Sequence, residues 1–527
     1  MPLGATMAKR EKLILLNVLV LCLFLTALDQ SIVATAIPHV LADLGGFNLL
    51  AWVITIYLLT STVTIPIAGK LSDMFGRKRF LLAGVGLFVA GSAACGGAPS
   101  MSFLIGARAA QGVGAGLITA CVFGTMGDLL TPIERAKYFA LTVGGFTFAS
   151  VAGPTLGGFF ADGPGWRWCF YVNLPLGILA AIFIVLRLPA GRGAGGRISE
   201  IDFLGAALLS VATVCFLMAI VWASVQFGWA GSPTLGLLLA TLVMVVAFLW
   251  QERRHAYAII PLDLFRNVSF SQAIAITIVQ AAGVMAASQF LPTFVQTSLQ
   301  GSATVSGLLV MPQAVGSLVS SIVCGQLMSR TGKTRNQMVV GACIMAVSAF
   351  LLMHMHTGEP LWHIAVFLVV MGLGSGLIFP VTQVVVQSSV SQDRQGIAAS
   401  TRQFFNQIAQ TIGVAMFGLV LTTVYASSFT QNSTSFAAAL PASTYNALKD
   451  PTLSLEPTKF AQISSDVTRL PGGTEILAQA TAAQRESVAT ATDRIYTFVF
   501  AAAIGLLVIT LLFREIPLRR TFDIEEG

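Results

Sequence analysis

The stretch GKLSDMFGRKRF, Gly69 to Phe80, places five charged residues within twelve positions of a chain that is only 10% charged overall. The chain has 527 residues, 55% of them hydrophobic, and its mean hydropathy is +0.80. Soluble proteins rarely contain so much apolar sequence. Apolar runs of about 20 residues, the length that a membrane-spanning helix needs, lie on both sides of the charged stretch. The stretch is therefore predicted to be a short loop between two membrane spans.

The rest of the chain repeats this alternation of apolar runs and short polar loops. It predicts an all-α integral membrane protein with fourteen spans. The predicted spans begin near Leu13, Leu49, Phe80, Phe103, Ala136, Cys169, Phe203, Thr234, Phe270, Ser306, Met338, Ile364, Ile397 and Ile495.

Lys and Arg are distributed unevenly between the two sides that these spans define. Twenty-two of the 30 basic residues fall in the N-terminal tail, in alternate loops and in the C-terminal tail. The short loops on the other side hold only Arg167. Because basic residues accumulate in cytoplasmic loops, both termini are expected in the cytoplasm, in a multi-pass protein of the cytoplasmic membrane. The net charge of +7 then indicates contact with anionic lipid and no nucleic-acid partner.

Two polar segments suggest how the chain is divided. PAGRGAGGRIS, Pro189 to Ser199, has the composition of a flexible linker. The Ala-, Ser- and Thr-rich residues 426–494 are expected to form a long, loosely folded external loop. The predicted divisions are an N-terminal six-helix half over residues 1–188, a cytoplasmic linker over 189–200, two inserted helices over 201–252, and a C-terminal six-helix half over 253–527.

The opening stretch has a second copy. GKLSDMFGRK at Gly69 is echoed by GQLMSRTGKT at Gly325, and both follow an even-numbered span. A loop repeated at equivalent topology indicates two related halves. Ser329 occupies the place of Asp73 in the second copy, so any role of that acid is not extended to it.

Five motifs lie in order along the first six spans: ALDQSIVATAIP from Ala27, the opening stretch from Gly69, LIGARAAQGVGAG from Leu104, AGPTLGG from Ala152 and WRWCFYVNLPLG from Trp166. Together they resemble the motifs of the major facilitator superfamily, and within it the fourteen-span drug:proton antiporter branch of bacterial multidrug exporters. The resemblance implies the major facilitator fold, in which two six-helix halves are accompanied here by two inserted helices.

In the opening stretch, Gly69 and Gly76 permit a tight turn and a close approach of helices. The resemblance implies that Asp73 faces a helix N-terminus of the opposite half, and that Arg77 pairs with an acid at the inner end of the fourth span, here Asp128. These five residues would form a latch that holds the halves together on the cytoplasmic side while the cavity opens outward. The alternative is that the basic residues serve only to fix topology.

The fifth-span motif combines Gly153, Gly157 and Gly158, which make a small-residue face, with Pro154, which bends a helix. Small residues in a span often serve packing alone. The resemblance implies a bendable seam between the halves and favours export over uptake.

Ionisable residues deep in the spans are few. A charge inside the bilayer costs about 2.5–3.5 kcal/mol, so it is expected to face a partner or a cavity. Asp29 is the only acid predicted well inside a span, which makes it the candidate proton carrier, with Arg108 beside it. The alternative is a purely structural ion pair between the two. Arg402 is predicted near the inner end of the thirteenth span.

Uncharged polar residues in the spans are candidates for a substrate cavity, although each could instead join two helices by a hydrogen bond. These candidates are Gln30, Gln280, Gln289, Gln313, Gln383 and Asn406. Many relatives carry an Arg near the place of Asn406, which leaves its substrate contact open.

The expected function is therefore proton-coupled export of hydrophobic and amphipathic compounds by alternating access, as in multidrug efflux and antibiotic resistance. The protein is expected to act as a monomer, with the proton gradient as energy source and without a cofactor. One alternative is a dedicated exporter of a single endogenous metabolite, lipid or siderophore.

A membrane enzyme or a signalling scaffold is the alternative from another class. An enzyme is not expected, because the spans carry neither paired carboxylates nor clustered metal ligands. MHMH, Met353 to His356, together with His363 and Glu359, is more simply a polar outer loop than a soft-metal site, so no metal is predicted.

Overall fold

The computed structural model describes residues 7–515 and 518, apart from 47–48, 190–194, 226, 302, 452 and 454–456. All regular secondary structure in these residues is helical, and 14 of the helical segments are long and apolar enough to span a membrane. In chain order, spans 1 to 7 are Lys9–Leu44, Leu50–Phe75, Arg77–Gly96, Met101–Leu129, Pro132–Asp162, the pair Trp168–Tyr171 and Asn173–Arg187, and Phe203–Val225. Spans 8 to 14 are Ser232–Arg254, the pair Val268–Gln289 and Leu291–Thr297, the pair Ala303–Leu308 and Met311–Thr331, Arg335–Leu352, Leu361–Ser388, Gln395–Asn432 and Gly473–Leu511.

Local sequence explains several of these helix ends. Thr131 and Glu134 form a reciprocal capping box at the start of span 5, and Pro132 occupies its first turn. Spans 9 and 10 are each broken just before a proline, Pro292 and Pro312. Proline lacks the backbone N–H that would continue a helix, so these breaks follow from the sequence.

The pairing of spans repeats along the chain. In the first bundle, span 1 packs against span 5, span 2 against span 4, and span 3 against spans 4 and 6. The same pairs recur eight spans later, as 9 with 13, 10 with 12, and 11 with 12 and 14. The two bundles meet mainly where span 2 contacts span 13 and where span 5 contacts span 10. The fold is thus two six-span bundles, spans 1–6 and 9–14; the residue bounds that we predicted for the halves stay a prediction.

Spans 7 and 8 lie outside this arrangement. They pack against each other, and span 7 also contacts spans 2 and 13. A small apolar cluster that includes Ile65, Leu209, Phe248 and Phe404 joins the pair to both bundles. The predicted linker before span 7 falls partly on residues 190–194, which lie outside the described residues; Ile198–Glu200 at its end forms a single 3₁₀ turn.

The external stretch 426–494 departs from the loosely folded loop that its composition predicts. Span 13 continues as a helix to Asn432, and span 14 begins at Gly473, well before the predicted start at Ile495. Ala442–Leu448 and Pro457–Thr468 form two shorter helices between them. Residues 426–432 and 473–494 of this stretch are therefore extensions of the two spans beyond the predicted membrane boundary.

Buried contacts hold the external stretch together. The Tyr425 hydroxyl and the Gln484 side-chain amide both donate to the carbonyl oxygen of Leu448, at 2.8 and 3.1 Å. Phe429 and Phe436 pack beside them with little or no exposure. These few large side chains are diluted among Ala, Ser and Thr in the sequence, which is why composition alone predicted disorder.

Candidate functional site

A cavity of about 940 Å³ lies between the two bundles. Four of the six predicted cavity residues line it: Gln30, Gln280, Gln313 and Asn406. The other two lie elsewhere, since Gln289 is exposed at the end of the first helix of span 9 and Gln383 is buried. Sequence alone could not separate these two groups, because all six are uncharged polar residues within apolar runs.

Every residue that lines the cavity is uncharged. Much of the wall is apolar and includes Phe123, Phe146, Met285 and Phe379. Lining amides supply local polarity: Gln280 donates to the carbonyl oxygen of Ser375 at 2.9 Å, and Gln410 donates to the Asn406 side chain at 2.7 Å. The side-chain oxygens of Gln313 and Gln403 are buried and have no hydrogen-bond partner among the described residues. A mainly apolar wall with a few polar residues suits amphipathic small molecules.

Asp29 lies at the centre of a buried polar cluster inside the first bundle. Its carboxylate accepts hydrogen bonds from Arg108 at 2.5 Å, from Gln111 at 2.7 Å and from Asn173 at 2.9 Å. Gln111 and Asn173 also donate to the hydroxyl of Ser92, at 2.6 and 3.3 Å. These residues come from spans 1, 3, 4 and 6, so the cluster ties four helices of one bundle together.

The ion pair between Asp29 and Arg108 is closed off from solvent. Asp29 is 0% exposed and Arg108 is 1% exposed. The Arg108 guanidinium also donates to the carbonyl oxygen of Val53 at 3.2 Å and lies 4.2 Å from the ring centre of Tyr57. Asp29 does not line the cavity, whereas its neighbour Gln30 does. The ion pair that we kept as an alternative is therefore present, and proton transfer at Asp29 remains a prediction.

The latch residues meet at the ends of spans 2, 3, 4 and 13 on the side predicted to be cytoplasmic. The Asp73 carboxylate accepts from the backbone N–H of Ile397 at 2.9 Å, in the first turn of span 13, and pairs with Arg77 at 2.8 Å. Arg77 in turn forms a two-point ion pair with Asp128. Both contacts implied by the resemblance are present, and the first of them connects the two bundles.

Glycines make room for this contact. A Cβ on Gly69 would collide with the side chain of Ser400, so spans 2 and 13 approach each other closely only because residue 69 is glycine. A Cβ on Gly396 would collide with the carboxylate of Asp73 and with Arg77. Gly76 has φ +100°, a conformation that favours glycine, at the turn between spans 2 and 3.

A second contact between the bundles lies beside the latch. The buried guanidinium of Arg135 in span 5 donates to the side-chain oxygen of Gln387 in span 12 at 3.0 Å. The Gln387 amide donates to the carbonyl oxygen of Phe123 in span 4 at 2.8 Å. The sequence carries no signal that distinguishes Arg135 or Gln387 as a contact residue, because each is simply a polar residue near the end of a span.

The second copy of the opening stretch makes a different contact. Gly325 in span 10 lies against the backbone of Ala136 in span 5, where a Cβ would collide with the Ala136 carbonyl oxygen. Ser329 is half-buried and donates to the carbonyl oxygen of Gln326 in its own helix. The two seams thus share close glycine packing, and in the first of them Asp73 also connects the bundles.

The fifth-span motif lies in a different place from the one we expected. Gly153 and Gly157 pack against Ser31, Ile32 and Thr35 of span 1, in their own bundle, and a Cβ on either would collide with that helix. Gly158 has no neighbour within 4 Å that a Cβ would meet. The expected seam between the halves is therefore a seam within the first bundle, because the small-residue face turns toward span 1.

Pro154 of the same motif is part of the cavity wall. It lies inside the continuous helix of span 5, Pro132–Asp162. The motif thus contacts both the cavity, through Pro154, and span 1, the helix that carries Asp29, through its glycines.

The histidines near the outer end of span 12 share one carboxylate. His356 and His363 each lie against Glu359, at 2.8 and 2.6 Å. In the described part of the chain, no group of three or more His, Cys, Asp or Glu side chains is arranged to hold a metal ion.

A sequence model of the Major Facilitator Superfamily matches residues 19–414. The chain belongs to this superfamily. It is 35% identical to the multidrug transporter protein MdtP of Bacillus subtilis over 432 residues, which cover 82% of this chain and 79% of that protein. It is 33% identical to multidrug resistance protein 3 of the same species over 407 residues, 77% of this chain and 79% of that protein.

The fold is also similar to that of a solved member of the superfamily. The crystal structure of the human organic anion transporter MFSD10 superposes with a TM-score of 0.61 at 14% identity, and the match covers 93% of this chain and 99% of that one. At this identity the likeness concerns the fold alone. Together with the helix pairing, it establishes the major facilitator fold.

Proposed function

We propose that this protein is a proton-coupled antiporter that exports hydrophobic and amphipathic compounds across the cytoplasmic membrane, acting as a monomer. The observation that carries the proposal is the neutral, mainly apolar cavity of about 940 Å³ between two bundles. Its size and its few polar lining residues match drug-sized amphipaths. The names of the relatives, a multidrug transporter and a multidrug resistance protein, support the same substrate class.

Alternating access requires contacts that exist in one state and break in the other. The latch contact of Asp73 with Ile397 and the contact of Arg135 with Gln387 both join the bundles on the side predicted to be cytoplasmic. Both would have to break for cargo to enter from the cytoplasm. The contacts within each bundle would persist, so that each bundle moves as a unit.

Span 1 provides the connection between cargo and proton. Gln30 and Thr35 of this helix line the cavity, while Asp29 on the same helix faces into the first bundle. Cargo that presses on span 1 shifts the helix that holds the Asp29 carboxylate. A proton on that carboxylate removes the charge that attracts Arg108 and frees the cluster to rearrange. Cargo and proton would in this way favour different positions of span 1.

The energy available is sufficient for uphill export. One inward proton gains about 2.3 kcal/mol per 100 mV of membrane potential. A tenfold concentration gradient of a neutral compound costs about 1.4 kcal/mol. One proton for each neutral molecule would therefore sustain well over a tenfold gradient.

The test is proton flux and dye export by purified protein in liposomes with an imposed proton gradient. Asp29→Asn is expected to abolish uphill export, because the amide cannot release a proton, while Asp29→Glu retains some activity. Asp43→Asn is the matched control: Asp43 lies in the same helix and pairs with Arg167 at 2.5 Å, but is half-exposed at the outer end. If Asp29→Asn still exports against a gradient and still moves protons with the dye, coupling at Asp29 is wrong and the ion pair is structural.

A further inference from the structure

A second buried arginine, Arg402 near the start of span 13, has a very different environment from Arg108. It is 0% exposed. Its guanidinium donates to the Thr382 hydroxyl at 2.9 and 3.1 Å, to the Gln383 side-chain oxygen at 2.9 Å and to the carbonyl oxygen of Phe379 at 3.3 Å. All of these acceptors are neutral. Among the described residues, no carboxylate forms an ion pair with Arg402.

The other buried arginines discussed above either pair with a carboxylate or lie at the contact between the bundles. Arg77 and Arg108 each pair with carboxylates. Arg135 also bonds to neutral groups, but it lies at the cytoplasmic contact between the bundles. A charge inside the bilayer is costly, so an ionisable residue without a counter-ion there points to a ligand or an ion path.

Arg402 lies directly behind the wall of the cavity. Its guanidinium carbon is 4.5 Å from the ring centre of Phe379, and Phe379 lines the cavity. Gln403 and Asn406, which follow Arg402 on the same helix, line it as well. One aromatic ring thus separates the positive charge from bound cargo. The buried, unpartnered Gln403 side-chain oxygen marks the same part of the wall as incompletely satisfied.

The wall itself does nothing to cancel this charge, since all of its side chains are neutral. Counter-ions screen a buried charge far less than an exposed one, so the field of Arg402 extends into the cavity. It attracts a negative group on the cargo and repels a positive one. The apolar wall meanwhile accommodates the hydrophobic body of the same molecule.

We propose that Arg402 is a specificity-determining residue, and that the preferred cargo is an amphipathic anion, an apolar or aromatic body that bears a carboxylate-type group. This inference rests on the proposed export function, whose substrate class it narrows. The acidic group lies toward Phe379 and Arg402, and lipophilic cations bind poorly because the wall offers no acid to balance their charge. Arg402 acts through its electrostatic field at the cavity wall.

The experiment measures equilibrium binding to the purified full-length protein in detergent, without a proton gradient. The probes are fluorescein, which is anionic, and rhodamine 123, which is cationic; both have the same xanthene core. The wild-type protein is expected to bind fluorescein at least roughly tenfold more tightly than rhodamine 123. Arg402→Gln is expected to lower this ratio by roughly tenfold, mainly through weaker fluorescein binding, whereas Arg402→Lys keeps most of it.

Arg469→Gln is the matched control, because it removes the same charge from an external side chain that is 80% exposed. A purely structural role of Arg402 would weaken both dyes alike and leave their ratio unchanged, which would overturn the proposal. A wild-type protein that binds the cation as tightly as the anion, or binds neither dye, would overturn it too. If Arg402→Gln does not fold, the wild-type ratio and Arg402→Lys still decide the question.

Failure of this proposal is distinct from failure of the proposed function. Binding is measured without a gradient. A protein that binds fluorescein more tightly than rhodamine 123 but shows no gradient-driven export would contradict proton coupling and leave the charge preference standing. Gradient-driven export of rhodamine 123 as efficient as that of fluorescein would contradict the charge preference and leave coupling standing.

Discussion

Asp73 connects the two bundles on the side predicted to be cytoplasmic. One of its carboxylate oxygens accepts from the Ile397 N–H in the other bundle, and the other pairs with Arg77. Asp73→Asn keeps the size but removes the charge, so both interactions weaken. We expect the inward-facing population to rise and transport to slow, with the fold intact. Labelling of single cysteines in the cytoplasmic vestibule measures the change.

The control for this substitution is Asp263→Asn. Asp263 pairs with Arg394 at 2.6 Å on the same side of the molecule, but the pair is half-exposed and lies outside the contact between the bundles. Exposed pairs of this kind contribute about 0–1 kcal/mol, so little effect is expected. Unchanged cysteine labelling and normal flux in Asp73→Asn would leave Asp73 and Arg77 with a topological role alone.

At the level of single residues, charged contact residues could be predicted from the sequence more readily than the neutral residues that bond to them. Asp29 with Arg108 could be predicted because a charge within the bilayer needs a partner, whereas Arg77 with Asp128 was implied by the resemblance to the family. Ser92 and Asn173, which complete the Asp29 cluster, could not, because small polar residues in spans commonly make only local helix bonds. Arg402 was visible as a charge, but its lack of a carboxylate became evident only in three dimensions.

Spans 2 and 13 form one of the two main seams between the bundles, and Gly69 sets their separation. Gly69→Ala introduces a methyl group against Ser400, and such overpacking typically costs about 1–3 kcal/mol. We expect a lower melting temperature and a shift toward the inward-facing state, in which the seam opens. Thermal unfolding in detergent and the same cysteine labelling report both effects.

Gly86→Ala is the matched control, because a Cβ there has no neighbour within 4 Å. It introduces the same methyl group in a neighbouring span without steric conflict. If Gly69→Ala behaves like Gly86→Ala, close packing at this seam does not determine the conformational equilibrium.

Helix boundaries followed from the sequence wherever a cap or a hydropathy change marks them. Each span except span 14 begins within four residues of its predicted start. Span 14 begins earlier because its first turns are polar and extend beyond the apolar run on which the prediction relied. The orientation of the fifth-span glycines was also wrong, since the same small-residue face could pack against either bundle.

The external stretch 426–494 caps spans 13 and 14 and does not contribute to the cavity wall. Replacing residues 433–472 by a flexible connector should therefore preserve export of some substrates. The melting temperature should fall, because Tyr425 and Gln484 lose their shared acceptor on Leu448. Liposome transport and thermal unfolding measure the two outcomes separately. Loss of all transport in a correctly inserted protein would show that the stretch takes part in translocation.

The overall fold could be predicted from the sequence more completely than the contacts within it. Fourteen spans, the repeated loop and the motif order were sufficient for the fold, since hydropathy and topology constrain membrane proteins strongly. The neutrality of the cavity could not be predicted, because it depends on which face of each helix turns inward.

The two seams between the bundles differ in one respect that matters for a cell at rest. At the seam of span 2 with span 13, the Asp73 carboxylate accepts a hydrogen bond from the other bundle, whereas in the second copy Ser329 donates within its own helix. An idle transporter is therefore expected to wait with its cytoplasmic side shut. Each proton admitted without cargo would dissipate the membrane's energy store, and a shut resting state limits that leak. The difference between the two copies of the loop would thus limit the proton leak when there is no cargo to export.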